Sequence, residues 1–265
     1  MRRLLGLVAI GAVTWFGIAG CDGDDQPAAL RPQLLLYCGI TMVHPMTEIA
    51  RVIEREQNVQ ITISQGGSED LYQSLRASRK GDLYLPGSES YRQRHLGEGL
   101  LGEAVPVGYN QAALVVRKGN PKQVSADPHS LLRQDLAVVI CNPDSGSIGR
   151  ENKRILEEVG IYQQVLDNAV FLTTDSRNMN GALKNGDADL ILNWRATAFF
   201  PENRDFMEVI DIDPALAKPK RLVLNLLTFS SHPEIARRLM AYAASEQGQA
   251  VFRKYGFIDN QGRAD

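Results

Sequence analysis

Hydrophobic residues recur along this chain with two different spacings, and the two spacings alternate. Residues 33–37 (QLLLY) are a short apolar run that suits a buried parallel strand. Behind it, Val43, Met46, Ile49, Ala50 and Ile53 fall on one face of a helix, with Pro45 tolerated in its first turn. Residues 59–64 (VQITIS) alternate and are β-branched, so they predict a second strand. After the turn Gln65-Gly66-Gly67, Ser68 reads as the N-cap of a helix to about Ser78. Residues 83–85 form a third strand, closed by Pro86-Gly87.

The order then begins again. Residues 112–117 (AALVVR) and 136–140 (LAVVI) are strands separated by the breaker Lys118-Gly119-Asn120-Pro121. The second runs into a polar loop, Cys141-Asn142-Pro143-Asp144-Ser145-Gly146-Ser147, and a helix to about Val159. A strand at 170–172, a helix at 179–185 and a strand at 190–194 complete this set. A strand at 221–228 and helices at 233–245 and 247–255 close the chain. Strands alternating with helices predict an α/β fold with mixed, mostly parallel sheets. Two such sets predict two lobes, with ligand loops beyond the carboxyl ends of the strands.

Three of those loops pair glycine with a hydroxyl at a helix start: Gly39-Ile40-Thr41, Gly66-Gly67-Ser68 and Ser145-Gly146-Ser147. Helix N-termini present unpaired N–H groups, glycine lets a ligand approach the backbone, and a hydroxyl adds a neutral donor, a combination that suits an anion. Taken singly, each loop reads first as an ordinary cap; their common strand-to-helix placement is what points to one cleft. Arg195, after the strand at 190–194, is read either as a fork for a carboxylate or phosphate or as a surface ion pair.

The first twenty residues have a different pattern. Arg2 and Arg3 precede an apolar run from Leu4 to Phe16, and Ile18-Ala19-Gly20 leads to Cys21. This is the layout of an export signal, and the run is too short to span a bilayer stably. Ile18-Ala19-Gly20-Cys21 resembles the lipobox of bacterial lipoproteins. The resemblance implies cleavage before Cys21, lipidation of its thiol and, with Asp22 next, retention on the periplasmic face of the inner membrane. Residues 21–32 then read as a tether. Residues 21–265 carry 27 basic and 31 acidic side chains, which gives no basis for nucleic-acid binding. No G-x-S-x-G, P-loop or H-E-x-x-H occurs, and His44, His95, His129 and His232 have no evident partners, so the chain reads as a binder and not an enzyme, with no cofactor or resident metal.

The chain's end carries a further signal: His232-Pro233-Glu234-Ile235-Ala236, then Ser245-Glu246-Gln247-Gly248-Gln249 through Phe252, then Lys254-Tyr255-Gly256-Phe257. With the strand–loop–helix–strand–Gly-Gly-Ser start, this resembles the periplasmic molybdate-binding family among the type 2 solute-binding proteins of ABC importers. The resemblance implies a monomer of two lobes joined by two crossovers, residues 33–111 with 219–265 forming one and 112–218 the other. It also implies a small anionic ligand such as molybdate or tungstate, and an ABC permease as partner. By position it places ligand contacts at Thr41, Ser68, Ser147 and about Met179, and the family's second-lobe tyrosine at Trp194. The first loop, Tyr37-Cys38-Gly39-Ile40-Thr41, departs from the family pattern, as do Cys141 and Trp194, so another anion or a larger ligand stays open. Cys38 and Cys141 themselves have three open readings: apolar core residues, a disulfide, or contacts to a thiol-reactive or soft ligand such as arsenite or copper. Met42, His44 and Met46 would assist the last of these.

Overall fold

The structure is a computed structural model that describes residues 31–263. The leader and Cys21 lie outside the described residues. In chain order the elements are β1 (Gln33–Gly39), α1 (Val43–Gln57), β2 (Gln60–Gly66), α2 (Ser68–Ser78), β3 (Leu83–Leu85), α3 (Ser90–His95), β4 (Leu101–Asn110), β5 (Ala112–Arg117), β6 (Val138–Cys141), α4 (Ser147–Glu158), α5 (Tyr162–Asn168), β7 (Phe171–Thr173), α6 (Ser176–Asn185), β8 (Leu190–Trp194), β9 (Met207–Ile210), β10 (Lys220–Leu227), α7 (Pro233–Ala244) and α8 (Glu246–Lys254).

The strands form two five-stranded sheets, ordered β2-β1-β3-β10-β4 and β7-β6-β8-β5-β9. Both are mixed. β1 runs parallel to β2 and β3, and β6 parallel to β7 and β8. β10 and β5 are each antiparallel to both neighbours. Every antiparallel pair therefore involves a strand that carries the chain out of one sheet or into the other, a long-range arrangement on which local periodicity is silent. Only Gln111 separates β4 from β5, and its side-chain amide donates to the Ala217 carbonyl (2.9 Å), tying the outgoing crossover to the returning one.

β4 has no counterpart in the hydrophobic pattern because Gly102, Pro106 and Gly108 interrupt it. The strand tolerates them by lying at the sheet edge, with a register shift opposite Pro106–Gly108. α6 starts three residues before the apolar spacing suggests, because the Asp175 carboxylate caps it by accepting from the Asn178 N–H (2.9 Å).

Each sheet has its own core. Leu36, Ile49, Leu83, Leu224 and Phe252 bury one face of the first sheet, and Tyr37, Leu71, Leu75 and Tyr84 the other. Leu114, Ile140, Ile155, Leu183 and Leu192 fill the second. Ala196 and Phe200, which follow β8 of the second sheet, pack into the first sheet's core. A purely apolar anchor thus crosses between the sheets next to the cleft.

Candidate functional site

The six strands in parallel pairs all end at one place. A small cavity of about 20 Å³ is lined by Gly39-Ile40-Thr41 after β1, Gly66-Gly67-Ser68 after β2, Gly87 after β3, Gly146-Ser147-Ile148 after β6, Asp175-Ser176 after β7, and Trp194 at the end of β8. At that volume it admits about one or two water-sized atoms. The two sheets meet here closely. A Cβ on Gly87 would lie 2.2 Å from Ser147 Oγ, and one on Gly67 would lie 2.7 Å from the Ser145 carbonyl oxygen. Glycine is needed at both positions because the opposite lobe occupies the space of a side chain.

The donors of this cradle are arranged by their partners. Ser68 is the first helical residue of α2, with Gly67 and not Ser68 at the cap position. Its Oγ is therefore free of capping and accepts from the Gly87 N–H (3.0 Å), while its carbonyl accepts from Tyr84 Oη (2.8 Å). Ser147 Oγ accepts from the Trp194 indole N–H (3.3 Å). Indole nitrogen is donor-only, so this bond has one direction. Each serine uses a lone pair within the protein and retains its proton for a ligand. Thr41 Oγ1 points its proton at the Met42 thioether, a weak acceptor that a ligand oxygen would displace (2.8 Å). α2 and α4 both begin at glycines without a side-chain cap. α6 and α8, by contrast, are capped by Asp175 and Ser245. Two helix N-termini are thus left open at the cavity, and their N–H groups and dipoles favour negative charge there. The one charged side chain on the lining is Asp175, and its carboxylate is taken by the first turn of α6.

Other contacts also join the lobes around the cradle. Arg177 donates to Gln65 Oε1 (2.7 Å), His44 bonds Glu202 (2.8 Å), and the Arg150 guanidinium lies 3.6 Å from the Tyr91 ring centroid.

A cavity at the strand ends between two α/β lobes is the setting of a captured solute, and the sequence profile of the bacterial extracellular solute-binding proteins matches residues 34–258. The chain belongs to this family. Two curated relatives of this solute-binding protein match over nearly their whole length. A Haemophilus influenzae protein named "Putative binding protein" is 24% identical over 258 residues, 97% of this chain and 99% of the relative. A Bacillus subtilis protein named "Putative ABC transporter substrate-binding lipoprotein" is 21% identical over 256 residues, 94% and 96% of the two chains. The periplasmic molybdate-binding protein of Azotobacter vinelandii shares the fold, with a TM-score of 0.72 at 13% identity over 85% of this chain and 98% of that one. The type 2 periplasmic binding-protein architecture expected of the sequence is the one present.

Of the residues singled out in the sequence of this solute-binding protein, Gly39, Thr41, Gly67, Ser68, Ser147 and Trp194 converge on the cradle. The others do not line it. Ser145 Oγ donates to the Thr174 carbonyl (3.0 Å) and so braces the second-lobe loop. Met179 is wholly buried in the second sheet's core. Arg195 pairs with Asp211 (3.1 Å) and stacks on Phe199 at 4.7 Å. Cys38 and Cys141 are both free thiols, buried in two different cores. Burial pushes the Cys38 thiol well up from its ordinary value and the Cys141 thiol up to about 12, so both are protonated and unreactive. They are apolar filling: Cys141 Sγ sits directly behind Gly146, where a Cβ would lie 2.9 Å from it. Reading the sequence missed Asp175 and Ser176, after β7, as lining residues. The available signal was position alone, since each follows a strand of a parallel pair.

Proposed function

We propose that the chain is an extracytoplasmic solute-binding lipoprotein that captures a small anion, of the molybdate or tungstate kind or another, and hands it to an ABC permease. The observation that carries this reading is the pair of uncapped helix N-termini flanked by serine hydroxyls whose protons are turned outward by Gly87 and Trp194. Neutral donors of this kind bind an ionised oxygen without a counter-charge, and release it when the lobes part. Residues 33–111 with 219–265 make one lobe in this proposal, 112–218 the other, and capture involves no turnover. The lipoprotein name of the Bacillus relative and the Ile18-Ala19-Gly20-Cys21 run support a lipid anchor on Cys21 at the periplasmic face of the inner membrane. The monomer would then work as a tethered trap beside its permease.

A thermal-shift and calorimetric panel of oxyanions and small organic anions, run on residues 21–265, tests it. A ligand at about a hundred times its Kd adds about 2.7 kcal/mol, which raises Tm by roughly 5–10 °C in a chain of this size. If no anion in the panel shifts Tm, the proposal fails. Cys21→Ala separately tests the anchor: the variant should move from the membrane fraction to the soluble fraction, and unchanged membrane association would remove the lipid from the picture.

A further inference from the structure

A second, larger cavity of about 450 Å³ adjoins the cradle and shares Ile40, Thr41 and Ser176 with it. We infer that the ligand is a small organic anion: its acidic head enters the cradle, and a short body carrying hydroxyl or amino donors occupies this vestibule. The inference rests on the anion reading above and narrows it to a substrate class.

Three observations carry it. The first is size. The cradle admits one or two oxygen atoms, whereas a tetrahedral oxyanion has four, so the rest of any such head projects toward the shared wall and the vestibule beyond. The second is an unmet hydrogen bond. Asn203 lines the vestibule and is 3% exposed. Its Nδ2 donates to the Thr197 carbonyl (2.7 Å), which fixes the orientation of the amide, and its Oδ1 is buried with no partner. Buried acceptors are rarely left unpaired; this one exposes less than 1 Å² of surface, so a ligand O–H or N–H completes it only as the vestibule wall around Asn203 shifts on binding. The third is charge. Arg177 donates to the neutral Gln65 amide, Lys184 donates to the Glu202 carbonyl (3.3 Å), and the Glu202 carboxylate is taken by His44. The vestibule therefore has two cations against one committed acid, a balance that favours an anionic ligand over a neutral or cationic one. Phe200, buried beside Val43 and Ile40, supplies an apolar wall for the carbon skeleton.

Gly181 makes the inference testable without disturbing the cradle. It lines the vestibule on α6, away from the cradle lining, and a Cβ there meets nothing within 4 Å. Gly181→Leu fills the vestibule with a good helix former. Affinities of residues 21–265 and the Gly181→Leu variant would be measured by calorimetry for matched pairs: glycerol 3-phosphate against inorganic phosphate, glycerate against acetate, and isethionate or taurine against sulfate. The expected result is that at least one organic member binds at least about tenfold tighter than its bare counterpart. Gly181→Leu should then weaken that organic ligand by about tenfold or more and change the bare anion by less than about threefold. Bare anions that bind as well as or better than their organic partners would overturn the inference and leave the anion reading intact. So would a Gly181→Leu variant that weakens both members equally or neither. If no member of any pair binds, the anion reading fails and this inference with it.

Discussion

The closure of the two lobes can be tested at a single methyl group. Gly87 belongs to the loop after β3, and the atom nearest its missing Cβ is Ser147 Oγ from the other lobe, at 2.2 Å. Ser147 Cβ would lie 3.1 Å away, so rotating the hydroxyl aside relieves only part of the conflict. Gly87 is not among the glycines with positive φ, so alanine is not strained in its own backbone. Gly87→Ala should therefore fold normally and act only when the lobes meet, holding them apart by about 1 Å at the cradle, the difference between 2.2 Å and ordinary contact. That displacement withdraws the Ser147 hydroxyl and the open first turn of α4 from a ligand held by the first lobe. Two hydrogen bonds to a charged group, at roughly 1.5 kcal/mol each as a lower figure, amount to about 3 kcal/mol, or a Kd raised about 150-fold. Trp194 is the sole tryptophan of residues 21–265 and lies in the cradle wall, so its fluorescence reports closure directly. In the variant the ligand-induced change should move to correspondingly higher concentration, with the ligand-free Tm unchanged. Parent-like affinity in a folded Gly87→Ala protein would refute the closed cradle as the bound state.

Three further outcomes follow from the same structure. Trp194→Phe keeps the packing but removes the donor that turns Ser147, and calorimetry should show about a tenfold loss of affinity with little change in Tm; unaltered affinity would mean that Ser147 needs no orienting partner. Cys38→Ala with Cys141→Ala should leave affinity unchanged, and both native thiols should react with a disulfide reagent only on unfolding; fast labelling of the folded protein would contradict the burial described. Burial acts to raise the Asp259 carboxyl, but hydrogen bonds from Arg263, Arg253 and the Gln261 N–H outweigh it and hold the group at about 2 against 3.8. A carboxyl depressed on folding stabilises the protein above its ordinary value and ceases to do so as pH falls through the lowered one. Asp259→Asn should accordingly lower Tm near neutral pH and flatten the Tm decline between about pH 4 and about pH 2; an equally steep decline in the variant would assign acid lability elsewhere.

Much of the first lobe was legible because its strands and helices are local. The spacing of Val43, Met46, Ile49 and Ile53 predicted α1, and the alternation in VQITIS predicted β2. The hydroxyl-bearing glycine loops were legible for the same reason, since a strand end followed by a helix start is a local event. β4 was not, because Pro106 and two glycines mask a strand whose only requirement is an edge to lie on. Trp194 stood out as a departure from the family's tyrosine. Its role as the donor that aims Ser147, 47 residues away, depends on β8 lying beside β6.

Hydrophobic periodicity and glycine placement, which are properties of neighbouring residues, determined the α/β class, most of the helices and the glycine–hydroxyl loops that line the cradle. Which loops face one another was decided by the order of strands in two sheets, a matter of long-range pairing and side-chain packing. That order sends Cys38 and Cys141 into separate cores, gives Arg195 to Asp211, and sets Gly87 against Ser147. Cysteine and arginine carry versatile chemistry that a sequence displays openly, but burial and partnership determine whether that chemistry is available, and these exist only once the chain has folded.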